Sequence, residues 1–196
     1  MPVGYLDSTT ACTIATSIVH SKLDYCNSLY YNIPKSQITR LQLIQNSLAR
    51  AVVNAPKSCH ITPVLRSLHW LKINERIEYN LLSLTYKVIT TNQPPYLHHL
   101  ISVQPPRSTR SSALVTLVRP PTSSSLHITD RSFRYTSPCL WNQLPSFLRQ
   151  PHFIPCVSDL PVHGHFPVNS LLSPSLTPSF FHSRLKTYLF HKSFPS

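Results

Sequence analysis

Carboxylates carry most metal-assisted and general acid–base chemistry, and this chain of 196 residues has only six of them. Two-metal phosphoryl transfer needs clustered carboxylates. Asp7, Asp24, Asp130 and Asp159 stand far apart, and none belongs to a D-D or D-x-D pair. Glu75 and Glu78 are three residues apart within a predicted helix, a spacing that puts them on one face. The plainest reading of that pair is a solvated face neutralising Lys72 and Arg76. With Gly4 and Gly164 as the two glycines, a Gly-rich phosphate loop has no place to form, and no G-x-S-x-G elbow occurs. His98-His99 and His163-Gly164-His165 have no carboxylate or thiolate at ligand spacing, so neither a metal nor a cofactor is predicted. The five cysteines, at 12, 26, 59, 139 and 156, are odd in number and contain no C-x-x-C pair, which points away from a disulfide framework or a zinc finger. Cys26, among apolar and aromatic residues, reads as a buried structural thiol rather than a nucleophile. No residue is assigned a catalytic role, and the chain is read as not an enzyme.

The charge balance points elsewhere. Eighteen Lys and Arg face 6 Asp and Glu, for a formal net charge of +12. Such an excess attracts polyanions, and nucleic acid is the first partner to consider. The sequence opens without a basic flank and apolar run of the secretory kind and contains no 18-residue apolar stretch, so the expectation is a cytoplasmic or nuclear protein, not secreted and with no membrane role.

Apolar periodicity supplies the elements that would hold these charges in place. Residues 9–20 are apolar and free of helix breakers, and 22–31 continue that helix or begin another, up to Pro34. Ser36 is placed to cap the next helix, in which Ile38, Leu41, Ile44, Leu48, Ala51 and Val52 form one stripe and Arg40, Gln45 and Arg50 point away from it. Thr62 and Pro63 open a further helix, and Asn74 caps another carrying Ile77, Leu81, Leu84 and Val88 on one face, widened by Tyr79, Leu82 and Tyr86. "YLHHLI" adds one more turn. Beyond residue 102 two strand candidates, 113–119 and 126–135, would pair as a hairpin, with Ile128 and Phe133 facing inward. Short helical turns follow around Trp141.

The fold class is therefore mainly α: a small helical bundle with a short β-hairpin, a disordered Pro/Ser-rich linker and a C-terminal basic amphipathic helix. The boundaries are 1–101 for a helical domain, 102–150 for a mixed strand and short-helix segment, 151–179 for the linker and 180–196 for the terminal helix. In that helix Phe181, Leu185, Tyr188 and Leu189 make an apolar stripe, expected to dock on the first domain.

Four blocks carry a family resemblance: "SKLDYCNSLYYNIPKSQITRLQLIQNSLARAV", "HITPVLRSLHWLKINERIEYNLLSLTYKV", "RSFRYTSPCLWNQLP" and "FHSRLKTYLFHKSF". Together they resemble the C-terminal region, thumb and post-thumb, of reverse transcriptases of LINE-type (non-LTR) retrotransposons. They occur in the family's order and span roughly residues 8–150 and 180–194. The family's palm carries an (F/Y)-x-D-D aspartate pair, and no position here matches it, nor does any match the family's endonuclease. The resemblance thus implies a truncated reverse-transcriptase-like piece of an RNA-directed DNA polymerase, without polymerase chemistry, whose activity is non-specific binding to an RNA or DNA backbone. A thumb lies against a template–primer duplex, and phosphate contacts position such a duplex without reading its sequence. Arg40, Arg50, Arg107, Arg110, Arg119, Arg131, Arg134, Arg184 and Lys186 are the candidate phosphate contacts, with Tyr30, Tyr31 and Trp70 as stacking candidates. Core packing is the competing reading for Trp70 and Trp141. Two other functions stay open: a protein–protein module whose basic terminal helix docks an acidic protein, and a translated element remnant with no selected function.

Overall fold

The computed structural model describes residues 8–105, 114–121, 131–150 and 177–195. Among these residues the chain forms seven α-helices and no strand: α1 (Ser8–Asp24), α2 (Lys35–Val52), α3 (Ile61–Ser67), α4 (Ile73–Thr91), α5 (Pro95–His98), α6 (Phe133–Gln143) and α7 (Pro178–Ser193). Short 3-10 turns at Asn27–Tyr30 and Ser146–Leu148 join them. The Pro/Ser-rich stretch expected at 151–179 lies outside the described residues up to Thr177.

A chain with so little glycine must turn by other means. Asn32, Asn54 and Asn92 adopt left-handed backbone conformations with φ of 55°, 52° and 55°, as do Cys26 and His69. Asparagine tolerates this region better than most residues because its short amide bonds locally. The three asparagines therefore stand where glycine usually ends a helix; Asn92 directly caps α4, its N–H donating to the carbonyl of Val88.

Helix α4 is the central element, packing against α1, α2, α6 and α7. Its buried residues are Ile73, Ile77, Leu81, Leu82, Thr85, Tyr86 and Val88; of the face read from the sequence, Leu84 and Tyr79 are only half-buried, and Ile73 and Thr85 are added. One apolar core joins this face to Leu23, Leu71, Leu140, Trp141, Leu148, Phe181, Leu185 and Leu189. Helix α7 docks through the predicted stripe: Phe181, Leu185 and Leu189 are fully buried, and the Phe181 ring stacks on Tyr86 with centroids 3.9 Å apart. Each such side chain contributes about 1.5–3 kcal/mol of apolar burial. A smaller cluster of Ala49, Val64, Leu65 and Phe194 holds α3 and the chain end to α2.

Several expectations need correction. Gln45, read as outward, is fully buried; its Nε2 donates to the Leu71 carbonyl at 2.9 Å and its Oε1 accepts from Gln42 Nε2 at 2.9 Å. Gln42 Oε1 in turn accepts from the Ile73 amide at 2.9 Å, so two glutamines satisfy the backbone where α4 begins. Ile44, read as core, is 51% exposed, because the buried face of α2 runs through Gln45 and Ala49 instead. The helix starts also shift: Pro34, His60 and Lys72 occupy the cap positions of α2, α3 and α4 rather than Ser36, Thr62 and Asn74, and no cap side chain bonds to the backbone there. Cys26 is exposed, in the left-handed conformation, rather than buried.

The hairpin is also replaced. Described residues of the second candidate strand fall in or just before α6, with Phe133 half-buried in that helix; Ile128 lies outside the described residues. The segment around Leu117 is extended, but forms an isolated antiparallel bridge with Val103. Side chains of α6 hold it: Asn142 Oδ1 accepts from the Leu117 N–H at 3.0 Å, Asn142 Nδ2 donates to the Leu117 carbonyl at 2.8 Å, and Trp141 Nε1 donates to the Val115 carbonyl at 2.9 Å. Trp141 is accordingly a core residue, 1% exposed.

Candidate nucleic-acid interface

The electrostatics follow from where the few acids go. Of the six acidic residues only Asp24, Glu75 and Glu78 are among those described, and two of them are ion-paired within the fold. Arg76 donates through Nε and Nη2 to Asp24, the Nη2 bond at 2.6 Å. Lys192 Nζ donates to both oxygens of Glu78 at 2.7 and 2.6 Å, tying α7 to α4. Glu75 is half-buried. Burial lifts its carboxyl above the usual carboxylate range, its own backbone amide pulls it partway back, and the nearby Glu78 lifts it further. The Glu75/Glu78 face is thus not a solvated counterweight to Lys72 and Arg76. Lys72 instead lies over the Phe194 ring at 5.2 Å, with Arg66 also facing that ring at 5.7 Å.

With two of these acids ion-paired, Arg40 on α2, Arg119, Arg134 on α6 and Lys186 on α7 are exposed and form no ion pair among the described residues. Exposed positive charge without an ion-pair partner attracts a polyanion. The other candidates differ. Arg50 is half-buried, and its Nη2 donates to the Cys59 carbonyl at 3.3 Å, joining α2 to the loop before α3. Arg184 stacks over the Phe180 ring, its guanidinium carbon 3.9 Å from the centroid. Arg131 is half-buried against a large cavity beside the start of α4. Arg107 and Arg110 lie outside the described residues.

Helices α1, α4 and α7 and the α3–α4 turn enclose a cleft of about 380 Å³ that brings Lys186 together with Trp70, Arg76, Tyr79 and His20. Trp70 is half-buried and meets the His20 ring edge-on at 4.3 Å. Burial lowers the His20 pKa, the Arg76 charge lowers it further, and Asp24 raises it partway back. The cleft therefore combines a free lysine at its rim with an indole and a largely neutral imidazole, a combination suited to a phosphate with its sugar or base alongside. Arg119 and Lys186 come from separate elements, and the residues facing Arg184 around Phe147 line a different recess.

Lys35 and Lys192, which are not among the sequence candidates, line the same cavity as Arg131, and the Gln42–Gln45 clamp has no local sequence signal. Lys192 was visible as one more basic residue of the terminal helix, but its partner Glu78 is 114 positions away. Ser83 Oγ also lies 3.2 Å from His182 Nδ1. That histidine packs near the rings of Tyr79, Tyr86 and Phe181, and the pair serves to join α4 to α7. Among the described residues no group of three or more His, Cys, Asp and Glu is placed to hold a metal ion, and no helix is long and apolar enough to cross a membrane. Comparison with protein-family models, curated proteins and solved structures finds no match.

Proposed function

We propose that this chain is a thumb-like helical module of the non-LTR reverse-transcriptase kind, which grips RNA or DNA by its phosphate backbone without reading sequence and performs no nucleotide transfer itself. The observation that carries this reading is the fate of the described acids: Asp24 and Glu78 are ion-paired within the fold and Glu75 is half-buried, while Arg40, Arg119, Arg134 and Lys186 stand outward. The order of the four sequence blocks supports the family assignment, and the all-helical bundle fits a part that must lie rigidly along a duplex. A cytoplasmic or nuclear setting is supported by Cys12, Cys26, Cys59 and Cys139, which form no disulfide among the described residues.

The test is fluorescence anisotropy with a labelled duplex and a labelled single-stranded RNA over a range of salt concentrations. Backbone binding predicts a log–log slope of several units, at about 0.9 per phosphate for duplex DNA. Binding that ignores salt, or no binding at low salt, would overturn the proposal; so would nucleotide incorporation by the pure chain on template–primer with magnesium.

A second reading, a protein-contact module, is favoured by one observation. Leu43 and Ile44 on α2 are 58% and 51% exposed, an apolar pair a solvated helix would not need. Size-exclusion chromatography with a candidate acidic partner after nuclease treatment would give a stoichiometric complex under this reading and separate peaks under the first.

A further inference from the structure

Helix α7 buries Phe181, Leu185 and Leu189 in the core, which turns its other flanks toward solvent. Phe180, Arg184, Thr187, Tyr188 and His191 recur along one of these flanks at helical spacing. The 3-10 turn Ser146–Leu148 packs beside α7. Leu148 is fully buried and pins that turn, which leaves the neighbouring Phe147 ring outward and 40% exposed. Phe147, Arg184, Thr187, Tyr188 and His191, with Ser183, line one open recess of about 500 Å³. The Arg184 guanidinium lies over the Phe180 ring, its carbon 3.9 Å from the centroid, so the cation is held in place before any ligand arrives. Arg184 forms no ion pair among the described residues. Helix α7 carries no Asp or Glu, and the three described acids line other recesses. Single exposed apolar residues are ordinary on a protein surface. Exposed Phe147 and half-buried Tyr188 lining one recess with an unpaired arginine are a different matter.

We infer that this recess seats an unpaired base of single-stranded RNA or DNA, the base against the rings of Phe147 and Tyr188 and the adjoining phosphate on Arg184. The inference rests on the backbone-binding reading for its choice of nucleic acid, and adds the form of nucleic acid that the recess takes. An aromatic side chain stacks on a base of any sequence, because every base has a π-face. In a duplex those faces are covered by neighbouring bases, so a duplex offers the recess only its backbone, for which Phe147 is of no use. Arg184 suits the phosphate. Its plane rests on Phe180, while its N–H edges stay available for a two-pronged contact. An acidic peptide fits less well. Its carboxylates would meet Arg184, but the face of an aromatic ring carries negative potential and repels them. The recess is also distinct from the Trp70 cleft, which Lys186 reaches from another flank of α7. A strand held here would leave outward Arg40, Arg119 and Arg134 to a duplex.

The test compares three labelled DNA probes on the full chain by fluorescence anisotropy: an oligothymidylate, an abasic strand with the same phosphates, and a duplex. The oligothymidylate should bind about fivefold tighter than the abasic strand or better, the low end for one base stacked on an aromatic ring. Phe147→Leu keeps apolar bulk at an exposed position and removes the π-face. It should bring the two single strands within about twofold of each other and leave the duplex affinity unchanged. Arg184→Gln should weaken both single strands alike and lower their salt slope by about 0.7. Circular dichroism confirms that each variant is folded. Equal affinity of the two strands for the unaltered chain, a preference that survives Phe147→Leu, or an equal loss on the duplex overturns the inference. So does an oligoglutamate peptide that displaces the oligothymidylate as well as unlabelled strand does, which would make the recess a docking site for an acidic protein. The salt series on the same preparation separates this site from the wider reading. Salt-dependent duplex binding without a preference for the strand that carries bases overturns the stacking site alone. Base-dependent strand binding that ignores salt, with no duplex binding, upholds the stacking site and overturns the backbone-binding proposal.

Discussion

Asp24, the last residue of α1, and Arg76, in the first turns of α4, form a two-pronged ion pair across 52 positions of sequence. The pair fixes the end of α1 on the central helix, and Asp24 Oδ1 also accepts from Asn27 Nδ2 at 3.4 Å, at the start of the following 3-10 turn. Bidentate arginine–carboxylate geometry is the strongest form of such a bond. The Arg76 side chain is 17% exposed and that of Asp24 38%, so solvent screens the pair in part. Arg76→Ala should cost about 1–2 kcal/mol, between the values for exposed and buried pairs. Urea unfolding measures it, and a double-mutant cycle with Asp24→Asn should show coupling, whereas additive losses would mean the two residues act separately.

Gln45 offers a sharper case. An outward glutamine could become leucine at no cost, but Gln45 is fully buried and donates to the Leu71 carbonyl. Gln45→Leu leaves that carbonyl and Gln42 Nε2 short of a partner and should destabilise by about 1–3 kcal/mol. A denaturation midpoint equal to that of the unaltered chain would show that water replaces the amide.

The contrast between α4 and α2 shows what was legible in the sequence. On α4 the apolar residues recur at helical spacing and the buried face is purely local information, so Ile77, Leu81, Tyr86 and Val88 could be read directly. The same holds for Phe181, Leu185 and Leu189 on α7. On α2 apolar residues occupy two faces, and the choice between them is made by the Leu71 carbonyl and the Ile73 amide, which lie 26 and 31 positions from their glutamine partners. No local pattern encodes that. The same holds for the segment around Leu117: a local pattern suggests a strand, but its hydrogen bonds come from Asn142 and Trp141 in a helix. Of the site, the individual basic residues were legible from composition. Their division into outward Arg40, Arg119, Arg134 and Lys186 and internally engaged Arg50 was not, because it depends on where three acids and one carbonyl fall in space.

The pH dependence of stability should carry the signature of Glu75. Burial raises its pKa in the folded chain above the ordinary 4.5, so the folded state holds that proton more tightly than the unfolded state does. Between the two values the unfolded state binds fewer protons, and the contribution of this group to stability falls as pH rises. Glu75→Gln removes the titration. The variant should gain stability relative to the unaltered chain as pH rises through the folded value, and the gain should vanish below pH 4.5. His20, whose pKa is lowered, acts in the opposite sense, losing stability as pH falls below its ordinary 6.5, so the difference between variant and unaltered chain is the quantity to follow. Thermal melts from pH 4 to 8 give it; a pH-independent difference would place Glu75 in solvent.

The outward and inward arginines should separate in binding. Combined replacement of Arg119, Arg134 and Lys186 by alanine removes three exposed charges that form no ion pair among the described residues, so folding should be unaffected. Each phosphate that is no longer neutralised lowers the salt slope for duplex DNA by about 0.9, so the triple variant should lose roughly 2–3 units of slope, uniformly across sequences. Arg50→Ala should do the reverse. It removes the bond to the Cys59 carbonyl, lowers the unfolding midpoint and leaves the slope unchanged. Anisotropy at several salt concentrations, paired with urea unfolding, reads both quantities on the same preparations. A triple variant that keeps the full slope would mean that the surplus charge faces solvent and the duplex is held elsewhere. A flattened slope in Arg50→Ala would move the binding surface to the side of α2 that meets the loop before α3.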